Sequence, residues 1–149
     1  MKNFSLRKQS SIPRETLFKI STDVSNFHVI LPDYFKSLKI VKDDPFEKIV
    51  LENISFLGNN IRVKTKHVIL SPDVHKIFIL SGPLKGTIFN EKYALSKLGT
   101  DVTISVHLKL NGFLKFVPFV DVFLSKKMSK VMNEFLKSSD NYLKASLSD

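Results

Sequence analysis

A single apolar stripe runs along the last 35 or so residues of the chain, from Phe113 to about Ala145. Its positions recur at spacings of three, four or seven residues, namely Val117, Val120, Leu124, Met128, Val131, Phe135 and Tyr142. This spacing is typical of one α-helix with one buried face. A helix of about 28 residues is about 42 Å long. We therefore expect it to lie across a whole sheet and to bury its stripe there.

Turn-forming residues recur at strand-length intervals between Ser37 and Asn111, and each separates two β-rich runs. The turn signals are Asp43-Asp44-Pro45, Gly58-Asn59-Asn60, Ser71-Pro72-Asp73, Gly82-Pro83 with Gly86, and Gly99-Thr100-Asp101. They predict six strands joined by short connections. Because a parallel crossover needs a dozen residues or more, these strands are predicted to form an antiparallel meander.

The N-terminal region precedes this meander and predicts three short elements. Residues 3–11 alternate as a half-buried strand does, with Phe4 and Leu6 on one face. Pro13 suits the first turn of a helix that ends near Thr22, and Asp23 suits the N-cap of a second short helix, which residue 32, a proline, closes. The prediction is one α+β domain spanning residues 1–149, with two short helices between the first and second of seven strands.

Composition excludes several classes of site. The chain has no Cys, so it lacks disulfides, thiolate metal ligands and a cysteine nucleophile. Its four His show no i, i+4 pair of the zinc-protease type, and no metal is expected. The GxSxG, P-loop and GxGxxG motifs are also missing from the sequence, so no cofactor is expected.

The net charge of +9 comes from 20 Lys and only three Arg, spread along the whole chain. This pattern is poor in the bidentate group that contacts phosphates and bases, so nucleic-acid binding is disfavoured. The apolar-rich stretch Phe113 to Leu124 falls well short of the roughly 20 residues of a membrane span, and the first residues do not read as a secretory signal. A cytoplasmic location is the expectation.

The order of elements resembles the helix-grip fold of the START and birch-pollen-allergen superfamily (SRPBCC), which includes polyketide cyclases, coenzyme-Q-binding proteins and lipid-transfer domains. The local sequence is similar as well. The matching segments are Ser11-Ile12-Pro13 through Leu17-Phe18, then Asp23, then Phe27 to Leu31-Pro32, and later Gly82-Pro83-Leu84-Lys85-Gly86-Thr87. The resemblance implies a curved seven-stranded antiparallel sheet wrapped around the long C-terminal helix, with a ligand cavity between them.

Strand alternation predicts which residues line this cavity, if the face opposite the charged residues points inward. The inward residues are Ile61, Val63, Thr65, His67 and Ile69 in one strand, Phe89, Glu91, Tyr93 and Leu95 in another, and Ile49, Leu51, Asn53 and Ser55 in a third, where Lys48 and Glu52 mark the outer face. With the helix stripe, the predicted lining is Phe27, Ile49, Asn53, Val63, His67, Phe89, Glu91, Tyr93, Val120, Leu124 and Met128.

Four polar residues lie on these predicted inward faces. Because burial of a polar group without a hydrogen bond costs free energy, each is expected to have a hydrogen-bond partner or a functional role. His67 is interpreted either as a neutral core histidine or as a ligand-binding or catalytic group. Glu91 is a candidate general acid or base, or else one half of an internal pair with His67 or Tyr93. Asn53 and Tyr93 are interpreted as hydrogen-bonded structural residues.

Three functions fit these features. The leading hypothesis is a non-catalytic carrier of a hydrophobic small molecule such as a lipid, quinone or isoprenoid. The second is a polyketide-type cyclase or dehydratase in which Glu91 and His67 move protons. The third is an interaction module for a ribosome or chaperone partner, which a basic chain would suit.

Three aromatic residues at the start of the long helix lie away from its stripe. Phe116, Phe119 and Phe123 fall on the side that later carries Lys126, Lys127 and Lys130. Such a surface is typical of peripheral contact with an anionic membrane, where a ligand would be loaded or unloaded. The alternative is that nearby loops, or a second subunit in a homodimer, cover these side chains.

Overall fold

The computed structural model describes residues 2–56 and 58–147; Leu57, at the end of one predicted strand, lies outside this range. The helices and strands are β1 (Lys2–Ser10), α1 (Arg14–Thr22), α2 (Phe27–Ile30), β2 (Phe35–Asp43), β3 (Glu47–Phe56), β4 (Asn59–Leu70), β5 (Val74–Ile79), β6 (Ile88–Ser96), β7 (Gly99–Leu108) and α3 (Val120–Leu147). Short 3₁₀ turns at Val24–Asn26 and Gly112–Phe116 precede α2 and α3.

In the described part of the chain, seven strands form one sheet in the order β1-β7-β6-β5-β4-β3-β2, with antiparallel pairing throughout. Strands β2 to β7 follow one another as the turn signals predict. The first strand closes the far edge by pairing with the last, in a register that runs from Lys2 opposite Leu108 to Ser10 opposite Thr100. The predicted helix-grip α+β architecture is confirmed.

Burial alternates along the strands because successive side chains point to opposite faces of the sheet. In β7, Val102, Ile104, Val106 and Leu108 are buried, and the residues between them are more exposed. Helix α1 packs against this inner face, where the rings of Phe18 and Tyr93 meet edge to face at 5.4 Å between centroids. The core therefore lies between the concave face of the sheet and the helices.

The long helix begins at Val120 rather than near Phe113. Pro118 cannot donate the backbone hydrogen bond that a continuous helix would need, and Phe119 takes a left-handed conformation with φ of 59°. Val117 is consequently exposed rather than part of the stripe, and Tyr142 near the other end is also exposed. These two assignments were wrong, whereas Val120, Leu124 and Phe135 are buried as predicted.

No helix within residues 2–56 and 58–147 is both long enough and apolar enough to cross a bilayer.

Candidate functional site: a cavity between the sheet and the long helix

A cavity of about 560 Å³ lies between the inner face of the sheet and α3. Apolar side chains supply most of its wall: Phe27 from α2, Phe89 from β6, Val106 from β7, and Leu124 and Met128 from α3. The packing that surrounds it is otherwise dense, with most of the buried apolar residues in one continuous cluster.

Many of the residues predicted to line the cavity do so. The wall contains Phe27, His67, Phe89, Glu91, Tyr93, Leu124 and Met128. Val63 and Val120 are buried, as their patterns require, but the side chains pack beside the cavity and do not form its wall. Leu95 was predicted to point inward but is exposed, because it lies at the hairpin end of β6, beyond the last cavity-facing residue of that strand.

The inward face of β3 was predicted wrongly at Ile49 and Asn53, although Ser55 lines the cavity as expected. Glu52 was taken to mark the outer face, yet it is buried and lines the cavity together with Ile54. The register explains this, since Glu52 pairs with Val63 across the strands and therefore shares its inner face. Ile49 and Asn53 point the other way and do not reach the cavity, and the Asn53 amide donates a 2.7 Å hydrogen bond to the hydroxyl oxygen of Ser37.

A series of hydrogen-bonded polar side chains, which we call the polar chain, crosses the sheet at the cavity wall. Its members are Glu52 on β3, Thr65 and His67 on β4, His75 on β5, and Glu91 and Tyr93 on β6. Each of four adjacent strands thus contributes at least one group. Within residues 2–56 and 58–147, no three His, Asp or Glu side chains are arranged to hold a metal ion.

The contacts along the polar chain are all within hydrogen-bonding distance. Nε2 of His67 lies 3.1 Å from the Thr65 hydroxyl oxygen and 3.3 Å from Oε1 of Glu52, which accepts a 3.1 Å bond from that hydroxyl. Nδ1 of His67 lies 3.0 Å from Nε2 of His75. Nδ1 of His75 lies 2.9 Å from Oε1 of Glu91. The Tyr93 hydroxyl donates to that same oxygen at 2.9 Å.

Proton counting constrains the charge of the polar chain. The contacts Glu52–His67, His67–His75 and His75–Glu91 each join two atoms with lone pairs, so each needs one proton. Two neutral imidazoles supply two of them. A third proton, shared along the polar chain, completes the three contacts. The four groups then carry one net negative charge, because two carboxyl groups share one proton in addition to those of the two rings.

Burial sets the protonation of two members. It lowers the pKa of His67, and this effect outweighs the hydrogen bond to Glu52, which acts in the opposite direction. Burial, followed by the charge of Glu91, raises the pKa of Tyr93 well above its usual value. His67 is therefore neutral at pH 7, and Tyr93 remains a hydrogen-bond donor.

The polar chain shows which hydrogen-bond partners Glu91 and His67 have, a point that the sequence left open. Glu91 does pair with Tyr93, but it reaches His67 only through His75, which the sequence analysis did not single out. The alternation rule applied to β5 would have found His75, because Lys76 marks the opposite face of that strand. Glu52 could not be found in this way, since the rule treated its charge as a sign of exposure.

Exposed residues within the first two turns of α3 border the cavity, and further exposed residues lie just before this helix. Phe116 and Phe119 are 85% and 80% exposed, and Phe123, half exposed, also forms part of the cavity wall. The described loops of this chain do not cover them, so coverage by loops was wrong, whereas coverage by a second subunit stays a prediction. The Lys127 ammonium lies 5.5 Å from the ring centre of Tyr34, and both residues line the cavity. Lys126 and Lys130 are exposed on the same helix.

No protein-family model matches the sequence, and no curated protein matches it significantly. Several solved structures share its fold. One is TTHA0849 from Thermus thermophilus, with a TM-score of 0.77 and 15% identity over 97% of this chain and 99% of that one. Another is the allergen Ara h 8.0201, with a TM-score of 0.74 and 19% identity over 97% of this chain and 98% of the other.

A third similar structure is the Zhui aromatase/cyclase from a Streptomyces strain, with a TM-score of 0.78 and 8% identity over 97% of each chain. At identities this low, the structural similarity establishes the shared fold alone. The predicted resemblance to the helix-grip superfamily is therefore confirmed at the level of the fold.

Proposed function

We propose that this protein binds a hydrophobic small molecule in the cavity between its sheet and α3, and that it acts as a carrier. The observation that supports this most is the cavity itself, about 560 Å³ with a mostly apolar wall. This volume lies within the range of roughly 300 to 1,000 Å³ that is usual for small-molecule sites. Because protein interiors are otherwise close-packed, an apolar space of this size is a natural site for a ligand.

The carrier function is tested by native mass spectrometry of gently purified protein, followed by titration with the neutral apolar dye Nile red. We expect a co-purifying mass that is lost on denaturation, and saturable dye binding. Met128→Trp narrows the cavity and should weaken dye binding, whereas Val122→Trp, at an exposed position on the same helix, should not. The absence of both a co-purifying mass and saturable dye binding would overturn the proposal.

Enzymatic activity is a second candidate, and two observations favour it. Solved structures with this fold include aromatase/cyclases, and the cavity wall carries imidazole and carboxyl groups that can exchange protons. In a cyclase or dehydratase, Glu91 and its partner His75 would act as the acid–base pair, with His67 behind them. Turnover of a polyketide-like substrate that is lost in Glu91→Gln but kept in Glu15→Gln would support this candidate over a carrier.

The exposed aromatic residues suggest where a carrier would exchange its ligand. We define the mouth patch as Phe116, Phe119, Phe123, Lys126, Lys127 and Lys130. We propose that it docks on an anionic lipid surface, because its exposed rings suit the acyl boundary and the exposed lysines that follow them in α3 suit the headgroups. Phe123 belongs to both the patch and the cavity wall, so a docked membrane would lie at the cavity mouth.

The docking proposal is tested by sedimentation with vesicles of phosphatidylserine and phosphatidylcholine. We expect binding that weakens with added salt and drops sharply in the double variant Phe116→Ser, Phe119→Ser, both of which spare the cavity wall. Phe46→Ser is the matched control, since Phe46 is also highly exposed but lies in the β2–β3 hairpin. No vesicle binding at low salt overturns the proposal, and dimerisation through the same rings would identify a second copy as the occupant instead.

A further inference from the structure

Among the residues that the structure describes, the second carboxylate oxygens of Glu52 and Glu91 accept no hydrogen bond. The hydrogen bonds of both side chains, among the described residues, are made by Oε1, which leaves Oε2 of each without one. The Glu52 side chain is only 6% exposed and that of Glu91 15%, and both line the cavity. Neither Oε2 is among the fully buried polar atoms that lack a partner, so each borders accessible space, where a donor group of a ligand can reach it.

The hydrogens of the neighbouring polar groups already form hydrogen bonds within the protein. The Tyr93 hydroxyl donates to Glu91, and the Thr65 hydroxyl donates to Glu52. The Ser21 hydroxyl, also at the cavity wall, donates to the backbone oxygen of Phe18. The ring protons of His67 and His75 lie within the contacts of the polar chain. The polar chain therefore presents acceptors to the cavity and no free donor.

The net negative charge of the polar chain also disfavours an acceptor or an anionic group of the ligand at this position. Its two carboxyl and two imidazole groups carry one net negative charge by the proton count given above. The cationic residue among those lining the cavity is Lys127, whose ammonium lies over the Tyr34 ring at the exposed mouth. A carboxylate or phosphate group placed against Glu52 and Glu91 would bring like charges together in a low-dielectric site.

From these observations, and resting on the proposed carrier function, we infer that the ligand is an apolar molecule with a hydrogen-bond donor at one end, either a protonated amine or a hydroxyl group. That end lies against the polar chain, where it donates to Oε2 of Glu52 or Glu91. The apolar body extends along the cavity towards Phe123 at the mouth. The affinity for fatty-acid anions is expected to be lower, although their apolar chains would fit the same wall.

The inference is tested by displacement of Nile red at pH 7.5 with three probes of equal chain length: dodecylamine, dodecanol and dodecanoate. We expect both donors to bind more tightly than dodecanoate, by roughly 10- to 100-fold, as a hydrogen bond to a charged group implies. The amine and alcohol arms then identify which donor is preferred. Glu52→Gln and Glu91→Gln should shrink the preference for dodecylamine over dodecanoate, and the exposed Glu15→Gln should leave it unchanged.

The outcomes separate this inference from the function on which it rests. Dodecanoate binding as tightly as the two donors would overturn the donor inference and leave the carrier function standing. Nile red that does not bind in saturable fashion, together with no competition by any probe, would overturn both. The comparison of the three probes on the unmodified protein decides the matter even if the glutamine variants fail to fold.

Discussion

Nδ1 of His67 and Nε2 of His75 lie 3.0 Å apart, so two fully buried imidazoles on neighbouring strands share a proton. The bond joins β4 to β5 at the centre of the polar chain, and each ring reaches a carboxyl group with its other nitrogen. A neutral imidazole that donates to a carboxylate from one nitrogen accepts a hydrogen bond with the other. The direction of the hydrogen bond at the Glu52 end is thereby linked to its direction at the Glu91 end.

Acid should destabilise the protein before its carboxylates are protonated. The native pKa of His67 is lowered by burial, whereas in the unfolded chain it returns to about 6.5. Below about pH 6.5 the unfolded state thus binds a proton that the native state does not, so stability is full above that pH and falls as the pH drops towards the native pKa. Urea unfolding between pH 7.5 and 5 measures this loss.

Two histidine variants test whether His67 causes this loss of stability at low pH. His67→Gln should flatten the pH dependence, while His28→Gln, at an exposed position, should leave it as it is. The lowered pKa values of Asp44 and Glu47 act only in a more acidic range, nearer pH 4, and do not interfere. A free energy of unfolding that stays constant from pH 7.5 to 5 would contradict the prediction.

Tyr93→Phe should destabilise the protein by about 1 to 3 kcal/mol, because it removes the hydroxyl donor to a largely buried carboxyl group. The ring and its packing against Phe18 are retained, so the change removes only the hydrogen bonds of the hydroxyl group, which are those with Glu91 and Ser21. Chemical denaturation measures the difference. Tyr142→Phe, near the exposed end of α3, is the control and should have no measurable effect.

His75 and Glu91 should be energetically coupled. A double-mutant cycle with His75→Gln and Glu91→Gln is expected to give a coupling of about 1 kcal/mol or more, since the two share one proton in a buried contact. The exposed pair Lys42 and Glu47 offers the comparison and should give a smaller coupling that declines with salt. Additive effects at His75 and Glu91 would argue against the shared proton.

Gly99→Ala should be more damaging than Gly58→Ala. A Cβ on Gly99 would lie 2.2 Å from the backbone oxygen of Ser10, at a φ of +154°, where β1 meets the β6–β7 hairpin. We expect a loss of about 2 kcal/mol or more. Gly58 also has a positive φ, but its Cβ would meet open space, so only the backbone term of about 1 kcal/mol applies. Thermal unfolding of the two variants tests the ranking.

The sequence by itself determined the order and type of the elements. Turn residues separate the strands, and a period of three to four residues identifies α3, because both signals are local properties of the backbone. It also predicted that Glu91 and Tyr93 share the inner face with His67, since an uninterrupted strand alternates strictly. Pro118 already indicated that α3 could begin only after it. The apolar spacing, which continues through Val117, nevertheless led to a predicted helix that began too early.

The tertiary structure alone decided which face of β3 points inward. Alternation divides a strand into two faces without saying which one is buried, and the charge of Glu52 suggested the wrong one. Only the pairing of Glu52 opposite Val63 places it inside, where Thr65 and His67 provide the hydrogen bonds that make its burial tolerable. These two hydrogen-bond partners lie 13 and 15 residues away along the chain. No local pattern contains that information, because it depends on the register between strands.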